Sequence, residues 1–127
     1  MRYLIDTHVL IWYLEGSDKL PQKLREELDN DQNTILISVA SFWELAIKIS
    51  AKKIELTKSL QEVQAYIVER AFVFLNISFE HLYTLLDLPH HHKDPFDRML
   101  IAQSITENIA IISVDQQFKP YSVNVIW

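Results

Sequence analysis

Four acidic residues spaced along the chain, Asp6, Glu44, Asp97 and Asp115, are of the type that holds a hard cation. Mg²⁺ and Mn²⁺ take few protein carboxylates, keep several waters and leave positions open for phosphate oxygens. An acidic centre of that kind points to phosphodiester hydrolysis, with an attacking water in line with the leaving oxygen. Each acid also has a purely structural explanation. Asp6 could cap a helix beginning at Thr7, and Ser41-Phe42-Trp43-Glu44 matches a capping box. Asp94 reads as a cap with Asp97 complementing the helix dipole, and Asp115 as a turn residue after a strand. What favours a site is convergence, because four carboxylates at one edge beside apolar stripes repel unless protonated or neutralised by cations.

The elements that must position these acids alternate. Arg2 to Ile5 reads as a short strand running into Asp6-Thr7 and a helix over His8 to Leu14. Pro21 opens a charged helix, Thr34 to Ile37 reads as a buried strand, and a helix is expected from Ser41 to about Ala51. A helix over about Ser59 to Arg70 precedes Phe72-Val73-Phe74-Leu75, a continuous apolar run suited to a buried strand. A helix over Ser78 to Leu86 follows, then Asp94-Pro95 opens another that continues to about Glu107. Ile109 to Ile112 and Val123 to Ile126 read as the last strands, with a short helical turn over Gln116 to Phe118 between them. Strands separated by helices imply a three-layer α/β fold, a mostly parallel central sheet flanked by helices. In such sheets the site lies beyond the carboxyl ends of the strands, at a switch in strand order. Asp6, Glu44 on the first turn of its helix, and Asp115 all fall at that edge. Asp97 heads an inward stripe through Leu100, Ile101, Ser104 and Ile105.

Composition narrows the alternatives. At 127 residues with 49% hydrophobic content, the chain reads as one domain over residues 1–127, with no repeat or linker. A single glycine, Gly16, excludes Gly-rich phosphate loops. The absence of cysteine excludes disulfide frameworks and thiolate sites and fits a reducing compartment, so a cytoplasmic location is expected. The acid at Asp6 argues against a signal peptide, and no apolar run approaches the roughly 20 residues that span a bilayer. A net charge of −5 argues against broad binding to nucleic acid through a basic surface, so a nucleic-acid substrate needs the local help of bound cations.

Several other residues carry weaker signals. Lys48 and Lys52 follow Glu44 at helical spacing and could meet an RNA backbone, or form an ordinary Glu-Lys pair on a solvated face. Arg98 has the same two readings. The tract His90-His91-His92 reads as a solvated loop at the mouth of the site, since three consecutive histidines do not converge on one ion. His8 is expected to make a local polar contact near Asp6. Trp12, Tyr13, Phe42 and Trp43 read as core or dimer surface ahead of base-stacking platforms.

Taken in order, Tyr3-Leu4-Ile5-Asp6-Thr7-His8, Ser38-Val39-Ala40-Ser41-Phe42-Trp43-Glu44, the segment from Asp94-Pro95-Phe96-Asp97-Arg98 to Gln103, and Ile112-Ser113-Val114-Asp115 resemble the PIN-domain family over essentially the whole chain. The resemblance is greatest to the VapC-type toxins of prokaryotic toxin-antitoxin pairs. It implies that Asp6, Glu44, Asp97 and Asp115 are the catalytic acids, with Ser113 at the position usually held by Thr or Ser. It further implies endoribonuclease activity with Mg²⁺ or Mn²⁺, a homodimer, and a cognate antitoxin that blocks the site. Asp94 lies one helical turn before Asp97 and keeps the capping role. The alternative is a PIN-like scaffold whose acids bind a partner protein without catalysis.

Overall fold

The computed structural model describes residues 1–127. Five strands, β1 (Arg2–Ile5), β2 (Thr34–Ser38), β3 (Val73–Leu75), β4 (Ala110–Ile112) and β5 (Val125–Ile126), form one sheet in the order β3-β2-β1-β4-β5. Every pairing is parallel, so the expected mostly parallel sheet is parallel throughout. Each crossover then needs a covering segment. Six helices supply most of them: α1 (Thr7–Glu15), α2 (Gln22–Asp29), α3 (Val39–Ser50), α4 (Leu60–Glu69), α5 (Phe79–Asp87) and α6 (Pro95–Glu107).

The register explains the three layers. Ile5 stands opposite Ile37 on one side and Ile112 on the other, and Leu4 opposite Leu36 and Ile111. Successive side chains point to opposite faces of a strand. Tyr3, Ile5, Ile35, Ile37, Ala110 and Ile112 therefore pack with Val9, Leu10, Leu24, Leu28, Leu45, Val63 and Ile67, which belong to α1 through α4. Leu4, Leu36 and Ile111 pack instead with Leu100, Ile101 and Ala102 of α6 and with Phe118 and Tyr121. Both faces are covered, which is why Tyr3–Ile5, Ile35–Ile37 and Ala110–Ile112 are apolar without alternation.

Local chemistry sets the helix ends. Asp6 accepts the Val9 amide at 2.8 Å and starts α1, which Gly16 ends in the left-handed region at φ 62°. Ser59 and Ser78 form capping boxes on α4 and α5, the second with His81 in the acceptor role usually taken by Glu. Asp94 caps α6 with Pro95 directly after it, as the sequence suggested. Three expectations need correction. Helix α3 begins at Val39, because the Ser38 hydroxyl at the end of β2 accepts the Ala40 amide; the Ser41-Glu44 capping box does not form. Strand β3 is the sheet edge, with Phe72 buried before it and Val73 exposed. The closing strand is limited to Val125–Ile126.

After α4, Ala71 sits at φ 60° while its amide and that of Phe72 bond back to Val68 and Ile67. A Cβ is disfavoured in that conformation. Ala71→Gly is therefore expected to raise stability by about 0.5–1 kcal/mol, after the added freedom of the unfolded chain is subtracted. Equilibrium denaturation measures it, and a loss of stability would refute it.

Candidate metal-binding acidic site

All five strands point the same way, so their carboxyl ends share one edge, and the order switches between β1 and β4. Asp6 leaves β1 at this switch, its own amide still donating to the Ile112 carbonyl at 3.2 Å. Asp6 is only 3% exposed. Burial raises its pKa above the ordinary value, and the Asp115 charge pushes the same way. Hydrogen bonding from Ser113 and Val9 and the nearby His8 act against this. Asp6 is thus both the cap and a buried acid at the switch point, so the two readings of this residue are compatible.

Glu44 comes from the second turn of α3, a consequence of the helix starting early. It is buried, with Oε1 accepting the Thr7 hydroxyl at 2.7 Å and Oε2 paired with Lys48 Nζ at 2.8 Å. Ser41 Oγ lies 3.0 Å from the same Thr7 oxygen. Lys48 thus forms the i,i+4 pair. Lys52 does not continue that helical face, because α3 ends at Ser50 and Lys52 lies beyond it at φ 57°.

Asp97 occupies the first turn of α6, behind the Asp94 cap, whose Oδ1 accepts the amides of Phe96 and Asp97. Its pKa is raised from the usual 3.8 to about 7. Burial is the largest cause, the Asp94 charge follows, His92 opposes, and Glu44 and Asp6 add to the rise. Those causes place Asp97 in the field of two of the other acids. Asp115 caps the 3₁₀ turn Gln116–Phe118 through Oδ1 and takes the Ser113 hydroxyl oxygen as acceptor for its own amide at 3.0 Å. Its Oδ2 lies 2.9 Å from His92 Nε2, which is also 3.3 Å from Asp97 Oδ2. Ligand atoms of His92, Asp97 and Asp115 all lie within 4.8 Å of one another.

His92 overturns the reading of the histidine tract. His90 and His91 are exposed, but His92 is 6% exposed and turned into the acids. The available signal was its position two residues before the Asp94 cap, which lets the ring accept the Asp94 amide. Arg98 braces the same loop, donating to the Pro89 carbonyl at 2.8 Å and reaching the Tyr121 hydroxyl at 3.4 Å. Tyr13 is core, Trp12 and Phe42 are half-buried, and Trp43 is 60% exposed with its ring edge-on to Phe96. His8 is exposed beside Trp12.

The donor set fits a hard divalent cation. Asp97 and Asp115 lie close together, Asp6 and Glu44 act on Asp97 through their charges, and Asp6 and Asp97 are held above their ordinary pKa by burial and mutual repulsion, a cost that a cation would relieve. Thiolates are absent and the nearby imidazole is hydrogen-bonded, so nothing in the set favours a soft metal. No helix of the protein is long and apolar enough to cross a membrane.

Among curated proteins, none matches the chain. Several solved structures share its fold. The VapBC2 complex of Rickettsia felis, bound to a DNA fragment from its promoter, aligns with TM-score 0.74 and 18% identity over 99% of this chain and 98% of the other. A toxin-antitoxin complex from Klebsiella pneumoniae gives 0.66 and 21% over 98% and 96%. The FitAcB structure from Neisseria gonorrhoeae gives 0.66 and 15% over the same shares. The PIN domain family model matches residues 3–123, from the first residues of β1 past the last acid, so the chain belongs to the PIN-domain family.

Proposed function

We propose that this PIN domain is a Mg²⁺- or Mn²⁺-dependent endoribonuclease, the toxin of a VapC-type toxin-antitoxin pair. What supports the reading is the mutual influence of acids from separate segments: Glu44 and Asp6 both raise the Asp97 pKa, Asp115 acts the same way on Asp6, and Asp97 and Asp115 lie together around His92. Fold likeness to toxin-antitoxin complexes supports the biological setting. In this reading the four carboxylates hold the cation, and one of them takes a proton from the attacking water. A bound divalent ion would supply charge neutralisation at the phosphate and a water that ionises more easily. The Ser113 hydroxyl orients Asp6 and the Asp115 loop, while Thr7 and Lys48 fix the two oxygens of Glu44. Lys48 and Arg98, at the margin of the acids, contribute contacts to the RNA backbone.

The partners follow from the same reading: RNA as substrate, a cognate antitoxin that blocks the acids, a second copy of the chain, and a cytoplasmic setting. Exposed apolar side chains on α5, Phe79, Tyr83 and Leu86, offer surface for such contacts. The test is incubation of purified protein with a mixed RNA pool in Mg²⁺, in Mn²⁺ and in EDTA. Cleavage confined to the metal-containing reactions is expected. Metal binding without cleavage of any RNA would replace the nuclease by a scaffold that binds a partner protein.

A further inference from the structure

His92 reaches two of the acids from a third segment, the loop of residues 88–94, and its surroundings fix the ring. Its backbone amide donates to the Tyr121 hydroxyl at 2.7 Å, and the imidazole packs on Phe118 with centroids 5.6 Å apart. Nδ1 accepts the Asp94 amide at 3.1 Å. A ring nitrogen that accepts a backbone N–H uses its lone pair and carries no proton, so the neutral ring bears its hydrogen on Nε2. That hydrogen faces Asp115 Oδ2 at 2.9 Å, with Asp97 Oδ2 at 3.3 Å. A nitrogen presenting a hydrogen has no lone pair to offer a cation.

We infer that His92 is a positioning residue: its ring, donating to Asp115 and standing against Asp97, holds the two carboxylates at a fixed separation for a divalent cation, without ligating the cation itself. The inference rests on the metal-dependent reading above. Its physical basis is that the two carboxylates come from independent segments, the first turn of α6 and the loop after β4, and like charges move apart when nothing lies between them. The Nε2 donor bonds Asp115 Oδ2 and stands 3.3 Å from Asp97 Oδ2, so the ring fills the space between the two carboxylates, while Asp115 Oδ1 is held by the Gln117 amide. Asp94 serves twice in this arrangement, its side chain capping the helix that carries Asp97 while its amide selects the tautomer of His92.

The test uses the full chain and two readouts other than activity. Long-range ¹H–¹⁵N spectra of the histidine rings should give His92 as the Nε2–H tautomer both without and with Mg²⁺. Free Mn²⁺, followed by electron paramagnetic resonance, should give an affinity lowered about 10–100-fold in His92→Leu, the range for lost hydrogen bonds around metal ligands. His92→Gln, whose amide keeps a donor near the position of Nε2, should stay close to the unaltered protein. A shift of the ring to the Nδ1–H form on adding Mg²⁺, full affinity in His92→Leu, or no recovery in His92→Gln would each overturn the inference. Failure of the unaltered chain to bind Mn²⁺ would overturn this role and the functional reading together. Mn²⁺ binding with the expected variant pattern, but no RNA cleavage, would overturn only the nuclease reading.

Discussion

Asp97→Asn is expected to end metal-dependent RNA cleavage while making the metal-free protein harder to unfold at pH 8. The sign follows from its carboxyl, which titrates near 3.8 in the unfolded chain and at about 7 in the folded protein. Below about pH 4 both states carry the proton and the residue is neutral to stability. Between there and about pH 7 the unfolded chain releases a proton that the folded chain keeps, so stability falls as pH rises; above that range the loss is complete. At about 1.4 kcal/mol per pH unit the upper bound is about 4 kcal/mol. Solvent reaching the side chain, 22% exposed, reduces it to roughly 1–3 kcal/mol. Asparagine has the same shape and no charge. The variant should therefore melt several degrees higher than the unaltered chain at pH 8 without metal, and at the same temperature at pH 4. Mg²⁺ should raise the melting temperature of the unaltered chain and leave the variant nearly unmoved. Cleavage should fall by about 1,000-fold or more, since several kcal/mol of charge stabilisation is removed. A variant that melts lower at pH 8 and still cleaves RNA would contradict both halves.

The second large effect is on packing. Phe118 is completely buried within the cluster of Leu4, Leu36, Leu100, Ile101 and Ile111 and supports the ring of His92. Phe118→Ala should cost about 3–5 kcal/mol, the transfer of the ring plus the cavity it leaves. The denaturant midpoint should fall with an unchanged slope. Phe118→Leu should recover most of the loss, and a cost below about 1 kcal/mol for alanine would mean that the turn collapses to fill the space. Because this turn follows Asp115 directly, the same cavity should also weaken Mn²⁺ binding, linking the second core cluster to the acids it supports.

Much of this arrangement was readable from residue order. The alternation of strand and helix patterns announced a parallel sheet covered on both faces, and Asp94-Pro95 located the start of α6 to the residue. Other features depended on partners distant in sequence. Ser38-Val39-Ala40-Ser41 offers two possible caps, and Ser38 takes the role because its backbone is held in β2, which moves Glu44 into the second turn and frees its carboxylate for Thr7 and Lys48. The edge position of β3 follows from strand order, which local patterning does not encode. Three adjacent histidines look alike in sequence; Tyr121 and Asp94 decide which one turns inward.

Placing β1 and β4 side by side also imposes a schedule. Ile5 finds its partner Ile112 only after most of the chain has been made, and at synthesis rates of about 5–20 residues per second the first strand waits on the order of 5–20 s for it. Until then Asp6 has neither the Ile112 carbonyl to anchor its backbone nor Ser113 and Asp115 beside its carboxylate. The four acids are therefore strangers to one another throughout most of translation. A cell making this protein gains a delay, set by topology alone, between the appearance of the first acid and the existence of the site.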